Sequence, residues 1–177
     1  MTTLTDLTEN ETMLQLNNTL RSYLTGELNV IDDEDLNLLT RLFSGPLAFR
    51  DAFITYVVAP SEVSVEDMCL FATKPHSPEA GTLMSAILNG RFMDGSEPDA
   101  LMFDRARELM ESVACAEDAD DRCVAQTRAV TAYLYWWQGN NGEAIPAAVD
   151  ALTLYEDCTL AVIVLTAIKR GINRKSS

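Results

Sequence analysis

Few residues in this chain have the types and spacing that chemistry requires. His76 is the single histidine among 177 residues, which excludes a multi-histidine metal site and most Cys–His or Ser–His mechanisms. It sits between Pro75 and Pro78 in a polar stretch, the setting of an exposed loop residue. Four cysteines, Cys69, Cys115, Cys123 and Cys158, form no CxxC pair and no spacing associated with zinc or haem. Each adjoins apolar or small residues, which predicts free buried thiols. Asp118-x-Asp120-Asp121 has the density of acids that a divalent cation wants. It lacks the glycine and the twelfth-position glutamate of a calcium loop. A phosphate-cradling glycine loop, HExxH and GxSxG are missing from the sequence. Paired carboxylates occur only in polar surroundings, where nothing raises a pKa for acid–base work. The expectation is a chain with no catalytic residue, no cofactor and no metal, and therefore not an enzyme.

Charge is the next constraint. Acidic residues number 27 against 13 basic ones, a formal net charge of −14. Such a surface repels nucleic-acid phosphates and anionic membranes and attracts basic partners. Two clusters stand out, Asp32-Asp33-Glu34-Asp35 and Glu117 to Asp121. Both suit helix N-termini, where carboxylates meet the positive end of the macrodipole. Basic residues gather at the other end, in Lys169, Arg170, Arg174 and Lys175. The opening MTTLTDLTENE has neither the basic nor the apolar region of a signal peptide. The longest apolar run, Leu160 to Ile168, is about half of the roughly 20 residues that cross a bilayer. A cytoplasmic protein without membrane contact is expected.

The elements that must position these residues are helical. Apolar residues make up 47% of the chain, enough for one globular domain spanning residues 1–177, with residues 1–10 flexible and 172–177 a flexible basic tail. Thr8-x-x-Glu11 reads as a capping box ahead of a stripe from Met13 to Leu24. Asp32 caps a second helix that ends at Ser44-Gly45. Pro46 opens a third, on which Arg50 is expected at a snorkelling edge. Ser64-x-x-Asp67 opens a short fourth. A fifth carries Leu83 to Leu88 and stops at Asn89-Gly90, and Pro98 starts a sixth. Period-two alternation is confined to short runs, so the fold class is all-α: a bundle of about eight or nine helices.

The densest segment is Thr131 to Gly171. Ala125, Ala129, Ala132 and Trp136 share one helix face; Val130, Leu134 and Trp137 form a second about 100° round. A helix apolar on two faces is sandwiched and central. Asn141-Gly142 then reads as a turn, with Pro146 in the first turn of the next helix. Trp136 and Trp137, being adjacent, point in different directions: the ordinary reading makes both core, and the sharper one places one of them near the surface beside Tyr133 or Tyr135. Tryptophan and tyrosine anchor many interfaces.

Trp136, Gly139, Ala144, Ala147, Ala151-Leu152, Leu160-Ala161 and Gly171-Ile172 resemble the C-terminal half of an actinobacterial family of uncharacterised proteins, the domain of unknown function numbered four-one-nine-two. Arg50-Asp51-Ala52 is similar to an arginine–aspartate segment upstream in that family. The chain differs at Asn140-Asn141, where the family prefers Asp-Gly, and at Asn173, where proline would stand. It matches only that family's C-terminal half. The resemblance implies a helical domain of actinobacterial or phage origin and brings no activity. Gly139 to Leu152 also looks like one tetratricopeptide unit, so the bundle is expected to end in a TPR-like hairpin.

Two functions follow as expectations. The first is a non-enzymatic interaction module that binds another protein, with Tyr133, Trp136, Trp137 and the acids Asp32, Asp33, Glu34 and Asp35 as contact candidates, and with room for a homodimer. The second is an acidic mimic of DNA that blocks a nucleic-acid-binding protein, as phage-encoded inhibitors do. It requires both acidic clusters on one face.

Overall fold

A computed structural model describes the chain from residue 4 to residue 174, and its side chains from residue 10. These residues form nine helices and no strand. In chain order they are α1 (Leu4–Leu24), α2 (Asp33–Ser44), α3 (Ala48–Val58), α4 (Val65–Thr73), α5 (Pro78–Asp94), α6 (Ala100–Ala114), α7 (Asp121–Trp137), α8 (Asn141–Leu154) and α9 (Thr159–Lys169). The all-α bundle expected from the periodicity is what the chain adopts.

Side-chain caps set most of the starts. Asp32 accepts from the Asp35 amide at 2.8 Å, and Asp120 from the Cys123 amide at 2.7 Å. Ser64 and Asp67 form a full capping box, with reciprocal bonds of 3.0 and 2.9 Å. Each cap satisfies an amide that the helix leaves without a partner. The box expected at Thr8 does not start α1, because that helix already runs from Leu4; the Thr8 side chain lies outside the described residues.

Two helices share the centre. α7 buries both faces as its two apolar stripes require, and packs on α8, α6, α9, α2 and α3. α3 is enclosed even more completely, with nine of its eleven residues buried. Phe43 of α2 meets α3 edge-on, its ring 5.7 Å from Phe49 and 6.1 Å from Phe53. α7 packs on α8, and both helices bury alanines completely: Ala125, Ala129 and Ala132 on α7, Ala144, Ala148 and Ala151 on α8. Small side chains permit helices to approach closely.

Five boundaries differ from the expectation, one of them the start of α6 at Ala100 behind its Asp99 cap, which leaves Pro98 ahead of the helix. α3 begins at Ala48, so Pro46 lies ahead of it in the link. α5 passes through Asn89-Gly90 and stops only at Gly95, whose φ of 71° is left-handed. A glycine costs a helix interior only about 1 kcal/mol, and the extra turn places Phe92 against α7. The turn between α7 and α8 is Gln138-Gly139-Asn140, with Asn140 as the cap, and Asn141 is already helical. Pro146 therefore sits in the second turn of α8. It and Gly142, whose carbonyl loses its helical partner, are both exposed, so water can replace the missing bond.

The ends of α7 and α9 are built alike. Gly139 donates to the Trp136 carbonyl and Asn140 to the Tyr135 carbonyl; Gly171 donates to Ile168 and Ile172 to Ala167. Both are Schellman closures on a left-handed glycine, at φ of 79° and 66°. The Trp136 indole N–H bonds the Ile172 carbonyl at 3.0 Å and ties the two ends together.

Candidate interaction surface

The aromatic residues singled out in the sequence are brought together, but inside the protein. Trp136 and Trp137 are 6% and 4% exposed. Phe92 stacks on Trp136 with centroids 5.7 Å apart and meets Trp137 edge-on at 5.6 Å. Tyr133 packs against both, at 5.4 and 5.6 Å. Its hydroxyl is held well above the usual tyrosine range, first by burial and then by the nearby Asp51 carboxylate. Adjacent tryptophans do diverge, yet Phe92 of α5 packs on both. Both tryptophans are core, as the ordinary reading has it, and the alternative that makes one of them a surface contact is corrected. Phe92 could not be found from the sequence once the helix was ended at Gly90.

Arginines explain much of the rest. Arg50, expected at a snorkelling edge, is only 5% exposed. It donates to Gln126 Oε1 at 2.7 Å and forks onto Asp51 Oδ1 at 2.9 and 2.7 Å. Arg105 lies 4.3 Å from the centre of the Tyr23 ring and donates to the carbonyls of Tyr23 and Leu28, both at 2.5 Å. It thereby caps the negative end of α1 from α6. Arg174 donates to the carbonyls of Trp137 and Ser96, so the described part of the expected free tail is tied down. Arg107 pairs with Asp104 and lies 4.5 Å from the Tyr135 ring centre. Arg128 pairs with Glu111 at 2.5 Å and holds that carboxyl below its ordinary range.

With these cations engaged in joints between elements, the acids dominate the outside. Asp32, Asp33, Glu34 and Asp35 occupy the first turn of α2 and its cap. Glu34 and Asp118 line one depression of about 530 Å³ together with Asn37 and Arg41, so one acid from each cluster faces the same side of α2. Asp120 reaches the other end of the same helix, accepting from the Ser44 hydroxyl at 3.0 Å.

A second kind of surface went unread in the sequence. Among the described residues ten large apolar side chains are left exposed, and six of them belong to the C-terminal hairpin or its closing turn: Ile145, Val149, Leu154, Val162, Ile163 and Ile172. Ile145, Val149 and the half-buried Leu152 follow one another at helical spacing along α8. On α9 the outward Val162 and Ile163 are 48% and 54% exposed, and the helix carries no charged side chain before Lys169. The periodicity of α9 had too many apolar residues for one buried face, and that surplus was the available signal.

His76 is exposed in its loop. Among the described residues no group of three or more histidine, cysteine or acidic side chains is placed to hold a metal, and no helix is long and apolar enough to cross a membrane. Cys123 and Cys158 are buried, Cys69 is half-buried and Cys115 is exposed, which corrects the expectation of four buried thiols. Burial pushes the Cys123 thiol up to about 11 and raises that of Cys158. At pH 8, iodoacetamide should therefore label Cys115 first, and Cys123 and Cys158 only on unfolding; equal rates by mass spectrometry would contradict this burial. The unfolded thiol ionises near about 8.5. The stability contributed by a neutral buried thiol is thus complete below that pH and is lost as pH rises toward 11.

Comparison with family models, curated proteins and solved structures finds no match to this chain.

Proposed function

We propose that this chain is a non-enzymatic, cytoplasmic helical module that acts by binding protein, and that the outer face of α8 and α9 is its contact surface. The observation that carries the reading is the concentration of exposed apolar residues on these two helices, Val162 and Ile163 among them. Burying one such side chain in an interface contributes roughly 1.5–3 kcal/mol, and a patch of this kind on an otherwise charged surface marks a place where another chain sits. Its resemblance to the actinobacterial family adds a helical domain and no activity. A second copy is the simplest partner. Sedimentation of the purified protein is expected to show concentration-dependent association that strengthens with salt, because two chains of net charge −14 repel each other. V162D/I163D should abolish it without lowering the melting temperature, both positions being exposed. A monomer at every salt concentration, with no partner on native mass spectrometry, rejects the proposal.

The second reading is the acidic mimic, an inhibitor of a nucleic-acid-binding protein encoded by a phage or mobile element. It is favoured by the convergence of Glu34 and Asp118 beside α2. Its salt dependence has the opposite sign: binding to a basic nucleic-acid-binding protein would weaken steeply as salt rises.

A further inference from the structure

Three depressions flank the N-terminal half of α2. Two of them contain Arg41, which lies beside Glu34 and Asp118 in one and beside Asp32, Glu34 and Asp35 in the other. A base thus already offsets part of the acid in each. The third, about 380 Å³, lies between the α1–α2 link and α6, and none of its lining residues is basic. Ile31, Leu36 and Leu109 supply its apolar lining, Asp33 its carboxylate, and Tyr23 and Ser112 its hydroxyls. Val30, 73% exposed, stands at the edge.

We propose that this depression is a socket for a lysine side chain presented by a basic protein partner. The fit is chemical. A lysine stem of methylenes lies well on leucine and isoleucine while its ammonium seeks a carboxylate. Asp33 is available for that role because Asp32, and not Asp33, caps α2. The helix macrodipole places about half a positive charge at this end. Four adjacent carboxylates, Asp32 to Asp35, outweigh it. Arg105 lies over the Tyr23 ring and acts on its hydroxyl more strongly than the Glu108 carboxylate does. Its guanidinium is fixed there by the carbonyls of Tyr23 and Leu28, so an ammonium is drawn to the Asp33 side of the depression. One wall is preorganised, since the Tyr23 ring is buried and held under Arg105. The volume falls at the small end of the range of about 300–1,000 Å³ typical of ligand pockets. That size suits one side chain better than a folded peptide. The proposal rests on the reading of the chain as a protein-binding module but uses a different face from α8 and α9.

The test is a nuclear magnetic resonance titration of the full, isotope-labelled chain with the peptide acetyl-(Ala-Lys)4-amide, and with the same peptide acetylated on every lysine. The lysine peptide should shift the amides of Val30, Ile31, Asp33 and Ser112 most, and the acetylated peptide should shift none of them. D33N should weaken binding at least fivefold. S112R, at an exposed position that leaves the core untouched, should block the socket with a cation of its own. Shifts spread evenly over Glu34, Asp118 and Glu111, with D33N and S112R binding like the parent, would overturn the socket in favour of diffuse attraction. Neither variant touches Val162 or Ile163. Loss of the socket with self-association intact would therefore leave the proposed function standing, and the converse would leave the socket.

Discussion

Trp136→Ala should cost about 4 kcal/mol of unfolding free energy and lower the melting temperature by roughly 12 °C. Its ring fills the space between Phe92, Tyr133 and Trp137, and its N–H closes on the Ile172 carbonyl. Truncation opens a cavity that neighbours from two helices cannot collapse into, and it strands a carbonyl at the end of α9. Trp136→Phe keeps most of the ring and forfeits the hydrogen bond, so a loss of about 1 kcal/mol beyond the change in volume is expected. The pair separates two roles. A core tryptophan moves the denaturation midpoint and leaves binding per folded molecule unchanged, whereas a surface anchor does the reverse. Urea denaturation alongside sedimentation reads both, and an unshifted midpoint for Trp136→Ala would mean that the cluster is not packed as described.

Arg50→Ala is expected to be nearly as severe, at about 3 kcal/mol. The guanidinium is the partner of Gln126 Oε1, and Gln126 is itself buried. Removing one side of a buried pair leaves the other without its bond, which costs about 1–3 kcal/mol before any loss of packing. Asp51 is less affected, because its side chain is 43% exposed and regains water. Arg50→Lys should recover little, since an ammonium cannot bridge Gln126 and Asp51 as the fork does. The double variant Arg50→Met/Gln126→Leu should recover most of the loss, because apolar pairs of similar volume often replace buried polar ones without penalty. Thermal melts of the four proteins test this. A double variant no better than Arg50→Ala would show that the pair contributes more than its own desolvation removes.

What the sequence disclosed and what it withheld have physical reasons. Helices capped by Asp32 or Ser64 were legible because a cap is a local bond between residues three apart. The end of α5 was not, because whether Gly90 or Gly95 stops a helix depends on what the extra turn packs against, here Trp136 and Trp137. Arg50 was misplaced for a similar reason: its partner Gln126 is 76 positions away, and no local pattern announces a buried guanidinium. Of the candidate site, the acids at the start of α2 stand where their spacing put them. Their convergence with Asp118 came from the packing of α2 on α6 and α7. Two adjacent large rings cannot share a direction, which is what leaves a surface tryptophan open as an alternative in the sequence; Phe92 of α5 closes it by packing on both.

Arg105 and Arg174 fasten loops to carbonyls about eighty positions distant, and Arg50 lies in the interior. Each cation engaged this way is held at one joint and cannot swing out to screen carboxylates elsewhere on the surface, while the total that sets the long-range potential stays at −14. A visiting cation is drawn in from beyond contact distance, and its capture rate should approach the diffusional ceiling in dilute buffer and fall as counter-ions are added. The same arginines that hold the helices in register thereby set how quickly this molecule can be found.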